Sequence, residues 1–327
     1  MDFRVTEDQQ ALQQGIRTFC EGRVSIDQIR ELETTGGFDA ELWKELAEMG
    51  VFGLRLPESD GGVGLGNAEA VLVFEELGRA LVPGPVVWSH LAAGIIDGAA
   101  DGSTVVGGLD LSDGASGPHL IEHLEHLDAL LVLRADGVAR IDPNSLGGKR
   151  IETPLDPLTP VHAVTVIPEG ETIADAASSE RLRIEGAALA AAALLGIAEQ
   201  SQVLATAYAK EREQFNRVIG SFQAVKHILA DCVVRQESAR AAVYAAGATL
   251  DDPGVGDVER AVRGAKLVAG EAAWKNSRAS IQVHGGMGYT WEIAAHYYLK
   301  RAWVLESVFG SVEEHADALA EKLASAA

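Results

Sequence analysis

Residues 282–292 read QVHGGMGYTWE, three glycines within four positions followed by two aromatics, in a chain otherwise rich in helix formers. A backbone gives up its side chains where it must lie close to something else. The stretch is therefore either a tight turn between two helices or a surface that another molecule approaches. The sequence on either side bears on which.

Upstream, alanine-rich segments near 183–212, 221–250 and 256–282 have helical texture, and 292–308 and 312–325 continue it beyond the glycines. DDPGVGD (251–257) is an interhelical turn. Small residues at so many positions allow long helices to pack closely, as in an antiparallel bundle. Between about 104 and 180 short β-leaning runs appear, TVVGGLDL, DALLVL, GVARI and VHAVTVI, separated by Gly, Pro, Asp and Asn. Residues 5–50 are helical, with Leu12, Ile16 and Phe19 on one apolar stripe and Leu42, Leu46 and Met49 on another. The glycine-rich FGLRLPESDGGVGLG (52–66) has no G-K-S/T ending and follows no clear strand, so it reads as a structural turn before a helix at 68–80. The expected fold class is α+β, mostly α. It comprises an N-terminal helical domain (1–88), a reduced middle β domain (89–180) and a C-terminal four-helix-bundle domain (181–327).

Composition limits the function. The 327 residues carry a formal charge of −21, which argues against nucleic acid, because binding phosphate needs a basic footprint. A polyanionic ligand must instead be met by local arginines or backbone N–H groups. Two cysteines, Cys20 and Cys232, with no CxxC, suit a reducing compartment. MDFRVTEDQQ shows no apolar signal segment, and the longest uncharged apolar run, 186–198, is shorter than the roughly 20 residues of a membrane span. A cytoplasmic protein without a membrane association is expected.

The order helical domain, β domain, helical bundle resembles the acyl-CoA dehydrogenase family over nearly the whole chain. FGLRLPESDGGVG is similar to that family's G-xx-x-P-E-x-x-G-G-x-G segment. REQFNRVIGSFQAVKH (212–227) resembles its R-x-Q-F-G-x-P-I-x-x-F-Q segment, and QVHGGMGYTWE its Q-x-x-G-G-x-G-Y-x-x-E segment. In the family the two C-terminal motifs cross the dimer interface and hold the ADP half of the neighbouring subunit's FAD. The resemblance implies that Arg212 meets the pyrophosphate with Gln214 nearby. Phe215, Phe222 and Gln223 would line the adenine side, and Gln282, Gly285 and Gly286 would bring bare backbone to the pyrophosphate. Guanidinium and backbone N–H groups are good phosphate donors, and glycine removes the Cβ that would block approach. Asn216 stands where the family has Gly; Asn tolerates left-handed dihedrals, so the turn is expected to survive. His284 is expected to touch the cofactor or to be a hydrogen-bonded structural residue.

The family's reaction needs a carboxylate base beside the flavin. Counting along the helix after the glycine motif to the place of that base in many members lands on VFGS (308–311), with Phe309 in the carboxylate's position. Members that carry the base on the first bundle helix, followed by Arg, align those two positions with Gly186 and Ala187. Glu185 is one residue off, about 100° of helical rotation away. Glu306, one turn before Phe309, is expected to be solvated or paired. The family's flavin-holding T-E-P-x-x-G-S-D signature is absent from 89–180. No catalytic residue is therefore assigned.

The resemblance implies a short subunit of a heteromeric FAD-dependent acyl-CoA dehydrogenase, inactive alone. Its partner would be a larger catalytic subunit, in an α2β2 tetramer of the kind actinobacteria use on steroid side-chain CoA thioesters, with the substrate held mainly by the partner. The alternatives are a self-sufficient homo-oligomer using Glu306 or Glu185, and a non-enzymatic acyl-CoA-binding scaffold. His119, His123 and His126 invite a metal reading, but inside a β region their spacing scatters the rings, so exposed histidines and no metal are expected. Trp291, Tyr297, Tyr298 and Trp303 read as core and interface.

Overall fold

Local capping chemistry starts the N-terminal helices. In a computed structural model, which describes residues 5–112, 114 and 117–325, Thr6 and Ser25 close capping boxes with Gln9 and Gln28 on α1 (Glu7–Arg23) and α2 (Ile26–Thr35). Asp39 caps α3 (Ala40–Glu48). α4 (Asn67–Arg79) and α5 (Val86–Ala92) follow. The helical reading of 5–50 and 68–80 holds. Two details differ: Met49 is 43% exposed because it lies at the C-cap of α3, and α5 is too short and too uniformly buried to show a helical period.

The chain forms two compact units. One comprises Met1–Val24, Val71–Val82 and Ala187–Ala327, the other Ser25–Ala70 and Pro83–Gly186.

The second unit carries the sheets. β1 (Val106–Leu111), β3 (Ala129–Arg134), β4 (Gly137–Ile141) and β7 (Glu171–Asp175) pair in that order, with β1 parallel to β3 and the other pairs antiparallel. β3 is central, so Ala129–Leu133 are buried on both faces and read as a continuous apolar run. A smaller sheet orders β2 (His119–Glu122), β6 (Val161–Val164) and β5 (Gly148–Arg150). Gly108 on β1 leaves room for Trp88 of α5: a Cβ there would lie 2.1 Å from the indole. The four expected β runs are β1, β3, β4 and β6; β2, β5 and β7 are short and polar, without alternation to reveal them. The 52–66 loop is a structural turn, knitted by bonds such as Gly64 N–H to Leu56 O (2.8 Å) and Leu65 N–H to Leu54 O (3.0 Å).

The first unit is helical. α6 (Ala176–Glu211) begins seven residues before the expected start and passes from the second unit into the first. It is followed by α7 (Gln223–Asp251), α8 (Val258–His284), α9 (Ala295–Ser307) and α10 (Val312–Ser325). α6 is long and apolar enough by composition to cross a membrane, with a window of mean hydropathy 1.4, yet 72% of that window is buried inside the fold. Glycine lets α4 and α6 touch: a Cβ on Gly196 would meet Glu75 O at 1.9 Å, and one on Gly78 would meet Ala193 O at 2.1 Å. At this crossing the buried Glu75 is held by Arg240, Tyr244 and Gln13, and the buried Glu76 by Arg17 through two bonds of 2.7 and 2.8 Å. Buried carboxylates this well paired fix one arrangement of α1, α4 and α7.

Candidate functional site

The RxQF motif begins where α6 runs out. Arg212 N–H still bonds Tyr208 O at 2.9 Å, and Ile219 N–H returns to Arg212 O at 2.8 Å. Between them lies a hairpin of β8 (Glu213–Gln214) and β9 (Arg217–Val218), in which Gln214 faces Arg217. The two turn residues, Phe215 (φ 55°) and Asn216 (φ 61°), are both left-handed, as a two-residue hairpin turn requires. Asn216 does what was expected of it. Phe215 pays for the same geometry, and its ring is 85% exposed. It meets Phe222, at the start of α7, edge-on at 6.1 Å, while the Arg217 guanidinium carbon lies over the Phe222 ring, 4.0 Å from its centre.

Below the hairpin a small apolar cluster joins it to the glycine motif. Ala205, Ala209 and Val283 form its buried centre, and Tyr208, Ile219, Val225, Ile228 and Leu229 pack around them. The Tyr208 and His284 rings pack at 4.3 Å, tilted by 31°, and His284 Nδ1–H donates to Ser280 O at 2.7 Å. His284 is buried and structural. The fold thus gathers Arg212, Gln214, Phe215, Phe222 and Gln223 around the hairpin, and links that group through Val283 and His284 to Gln282, Gly285 and Gly286 at the end of α8.

The three glycines there have different causes. Gly288 is steric, since a Cβ would lie 2.6 Å from Ile281 O. Gly285 is conformational, with φ 62° and ψ −137°, a region closed to other residues. Gly286 has neither reason: its φ is not positive, and a Cβ would meet nothing within 4 Å. Its backbone is exposed, as are Gln282 and Gly285.

The positions weighed for a base are differently occupied. Phe309 is buried, with φ 57°, in the link between α9 and α10. Its carbonyl accepts from His315 Nε2 at 3.0 Å. The buried Lys266 ammonium donates to Glu306 O and Gly310 O at 2.7 and 2.8 Å, and burial pushes its pKa down to about 8. Glu306 is half-buried and its carboxylate caps α10 by accepting Val312 N–H at 2.6 Å. Glu185 is buried against Arg55, 3.0 Å away. Arg55 also donates to Asn67 Oδ1 and His90 Nε2. His90 must then be neutral, with Nδ1–H on Val51 O, and burial beside that guanidinium pushes it down to about 3.

One expectation fails. The three histidines of 119–126 are not exposed: His123 is buried, and His119 and His126 are half-buried, His126 stacked on Phe38 at 4.9 Å. Apolar packing in the second unit takes rings that the sequence pattern assigned to solvent. Among the described residues no His, Cys, Asp or Glu group could hold a metal. Tyr297 and Tyr298 are buried, whereas Trp291 and Trp303 are 57% and 42% exposed. Sequence reasoning missed Arg217 and Arg55. Arg217's signal was available in the hairpin pattern, where the residue after a two-residue turn faces the one before it.

Comparison with known proteins follows the same lines. Residues 6–101 match the acyl-CoA dehydrogenase N-terminal domain and 177–324 the acyl-CoA dehydrogenase C-terminal domain. The acyl-CoA dehydrogenase IpdE2 of Mycolicibacterium smegmatis is 30% identical over 320 residues, covering 95% of this chain and 97% of that protein. Two solved structures share the fold over 99% of both chains at 24% identity: the Tcur3481–Tcur3483 steroid ACAD, with a TM-score of 0.87, and the ChsE4–ChsE5 complex from Mycobacterium tuberculosis, with 0.86. The chain belongs to the acyl-CoA dehydrogenase family.

Proposed function

We propose that this chain is the non-catalytic subunit of a heteromeric FAD-dependent acyl-CoA dehydrogenase and completes the cofactor site of a larger partner subunit. The carrying observation is Gly286. Among the described residues nothing would meet a Cβ at Gly286 and its φ does not call for glycine, so its bare, exposed backbone at the end of α8 is open to a group that approaches from outside. The surroundings suit the ADP half of FAD. Arg212 is exposed with no carboxylate partner among the described residues, Gly285 and Gly286 present bare backbone, and Phe215 holds an apolar ring in solvent. In this reading Arg212 binds the pyrophosphate, which lies against the bare backbone of Gly285 and Gly286, Gln214 and Gln282 supply polar contacts, and Phe215, Phe222 and Gln223 line the adenine.

When bound, FAD would supply the acceptor for the hydride that leaves the acyl β-carbon. This chain's own contribution is to orient and retain the cofactor. Proton abstraction from the α-carbon falls to the partner, because Phe309 carries no basic group and Glu185 and Glu306 are committed to Arg55 and to the cap of α10. The two structural neighbours, a steroid ACAD and the ChsE4–ChsE5 complex, support an α2β2 assembly acting on a steroid side-chain CoA thioester. Two buried free cysteines fit a cytoplasmic setting.

The test is to purify the tagged full-length chain alone and from its own host. The expected result is a colourless, inactive chain alone and a yellow, active complex with a larger homologue. A yellow, active homo-oligomer would contradict the proposal, and a colourless chain without a partner would favour a binding scaffold.

A further inference from the structure

Arg217 lies outside the positions that the family motif assigns to the cofactor, yet the hairpin puts it among them. In the β8–β9 register it stands directly opposite Gln214. Residues opposed across an antiparallel pair project from the same face, so what Gln214 can reach Arg217 can reach too. The left-handed pair Phe215–Asn216 fixes this register.

The side chain is also prepared. Its guanidinium carbon lies 4.0 Å over the centre of the Phe222 ring, which covers one planar face and leaves the N–H edge open. The chain carries a net charge of −21, and Arg17, Arg55, Arg79, Arg183, Arg240 and Arg263 all have carboxylate partners. Arg212 and Arg217 have none among the described residues, although Glu211 and Glu213 adjoin Arg212; Arg134, Arg235 and Arg278 also have none, and are engaged by Pro168 O, Asn276 Oδ1 and the Trp274 ring. Two exposed arginines without carboxylate partners, one just before the hairpin and one on it, favour an anion that both can reach.

We infer that Arg217 is a second anchor for the cofactor's diphosphate, acting with Arg212, and that this pair makes the half-site selective for a nucleoside diphosphate over a monophosphate. This rests on the proposed FAD half-site. A diphosphate offers both guanidinium groups a charged oxygen at once; a monophosphate offers that only at the end of a shorter ligand.

The experiment uses the complex recovered with the full-length chain, carrying wild type, Arg217→Ala, Arg217→Lys or Arg212→Ala. Flavin per complex is read after gel filtration at low and high salt. FAD is then removed and its rebinding competed with ADP and with AMP. Arg217→Ala is expected to weaken FAD roughly tenfold, to flatten its salt dependence, and to erase the preference for ADP. Arg217→Lys should recover part of the affinity, because the charge remains but the planar stack on Phe222 does not. If Arg212→Ala loses flavin while Arg217→Ala behaves as wild type, the inference is wrong and the half-site stands. If salt dependence and ADP preference survive in an Arg217→Ala complex that has lost flavin, the role is structural and the inference also fails. If neither arginine matters, the half-site itself is refuted.

Discussion

Arg55 Nη1 and Glu185 Oε2 lie 3.0 Å apart in the second unit, with the Glu185 side chain only 11% exposed. The pair ties the 52–66 loop to α6 at the residue next to the family's alternative base position. Glu185 is thus close in sequence to where a base would sit and is held by a guanidinium that itself bridges Asn67 and His90. A carboxylate serving as an ion-pair partner here is a structural element.

Arg55→Ala should destabilise the chain by about 3 kcal/mol, since it strands a buried carboxylate. Replacing both partners, as Arg55→Met with Glu185→Leu, should restore most of that, because two apolar groups leave no charge unpaired. Urea unfolding followed by circular dichroism measures both. A neutral Arg55→Ala would show that water reaches Glu185.

His90 makes stability depend on pH. Its folded pKa, about 3, lies below the ordinary 6.5, so between those values the unfolded chain binds the extra proton. Its contribution is fully present above pH 6.5 and is lost as pH falls toward 3. Below about pH 6 this adds roughly 1.4 kcal/mol of lost stability per pH unit. His90→Gln should lack that increment between pH 5 and 6.5, read as the difference in slope against wild type. Parallel slopes would mean that His90 is not buried as a neutral ring.

The neighbouring glycines should separate cleanly. Gly288→Ala drives a Cβ toward Ile281 O and should cost about 1–3 kcal/mol. Gly286→Ala meets nothing and should stay within about 0.5 kcal/mol of wild type. Thermal unfolding of the isolated chain distinguishes them, and equal losses would place Gly286 in the turn's own packing.

Much of this was legible beforehand. Alanine-rich helices, the DDPGVGD turn and the β texture show in composition and punctuation, because helix formers and turn residues act locally. Asn216's left-handed turn followed from its short polar side chain. The surroundings of Glu185 and His123 were not legible: each depends on a partner far along the chain or on packing, Arg55 and the second unit's core. No local pattern encodes that α6 begins at Ala176, directly off β7, or that Phe215 shares the turn's strained dihedrals.

Phe309→Glu should create no acyl-CoA oxidation in this chain alone, since a carboxylate with no flavin beside it abstracts nothing useful. Dye-linked oxidation of acyl-CoA thioesters by the purified variant is the measurement. Appreciable turnover would show that the chain holds its own flavin.

The central claim, that this chain closes a partner's FAD site, is tested most directly by Gly286→Val. The chain has free space at that Cβ, so the variant should fold and assemble as wild type does. A bulky side chain would nevertheless stand where the diphosphate must approach. Flavin absorbance per complex, measured after gel filtration at matched protein concentration, should fall at least tenfold while circular dichroism and complex mass stay unchanged. An intact yellow complex carrying Gly286→Val would contradict the account.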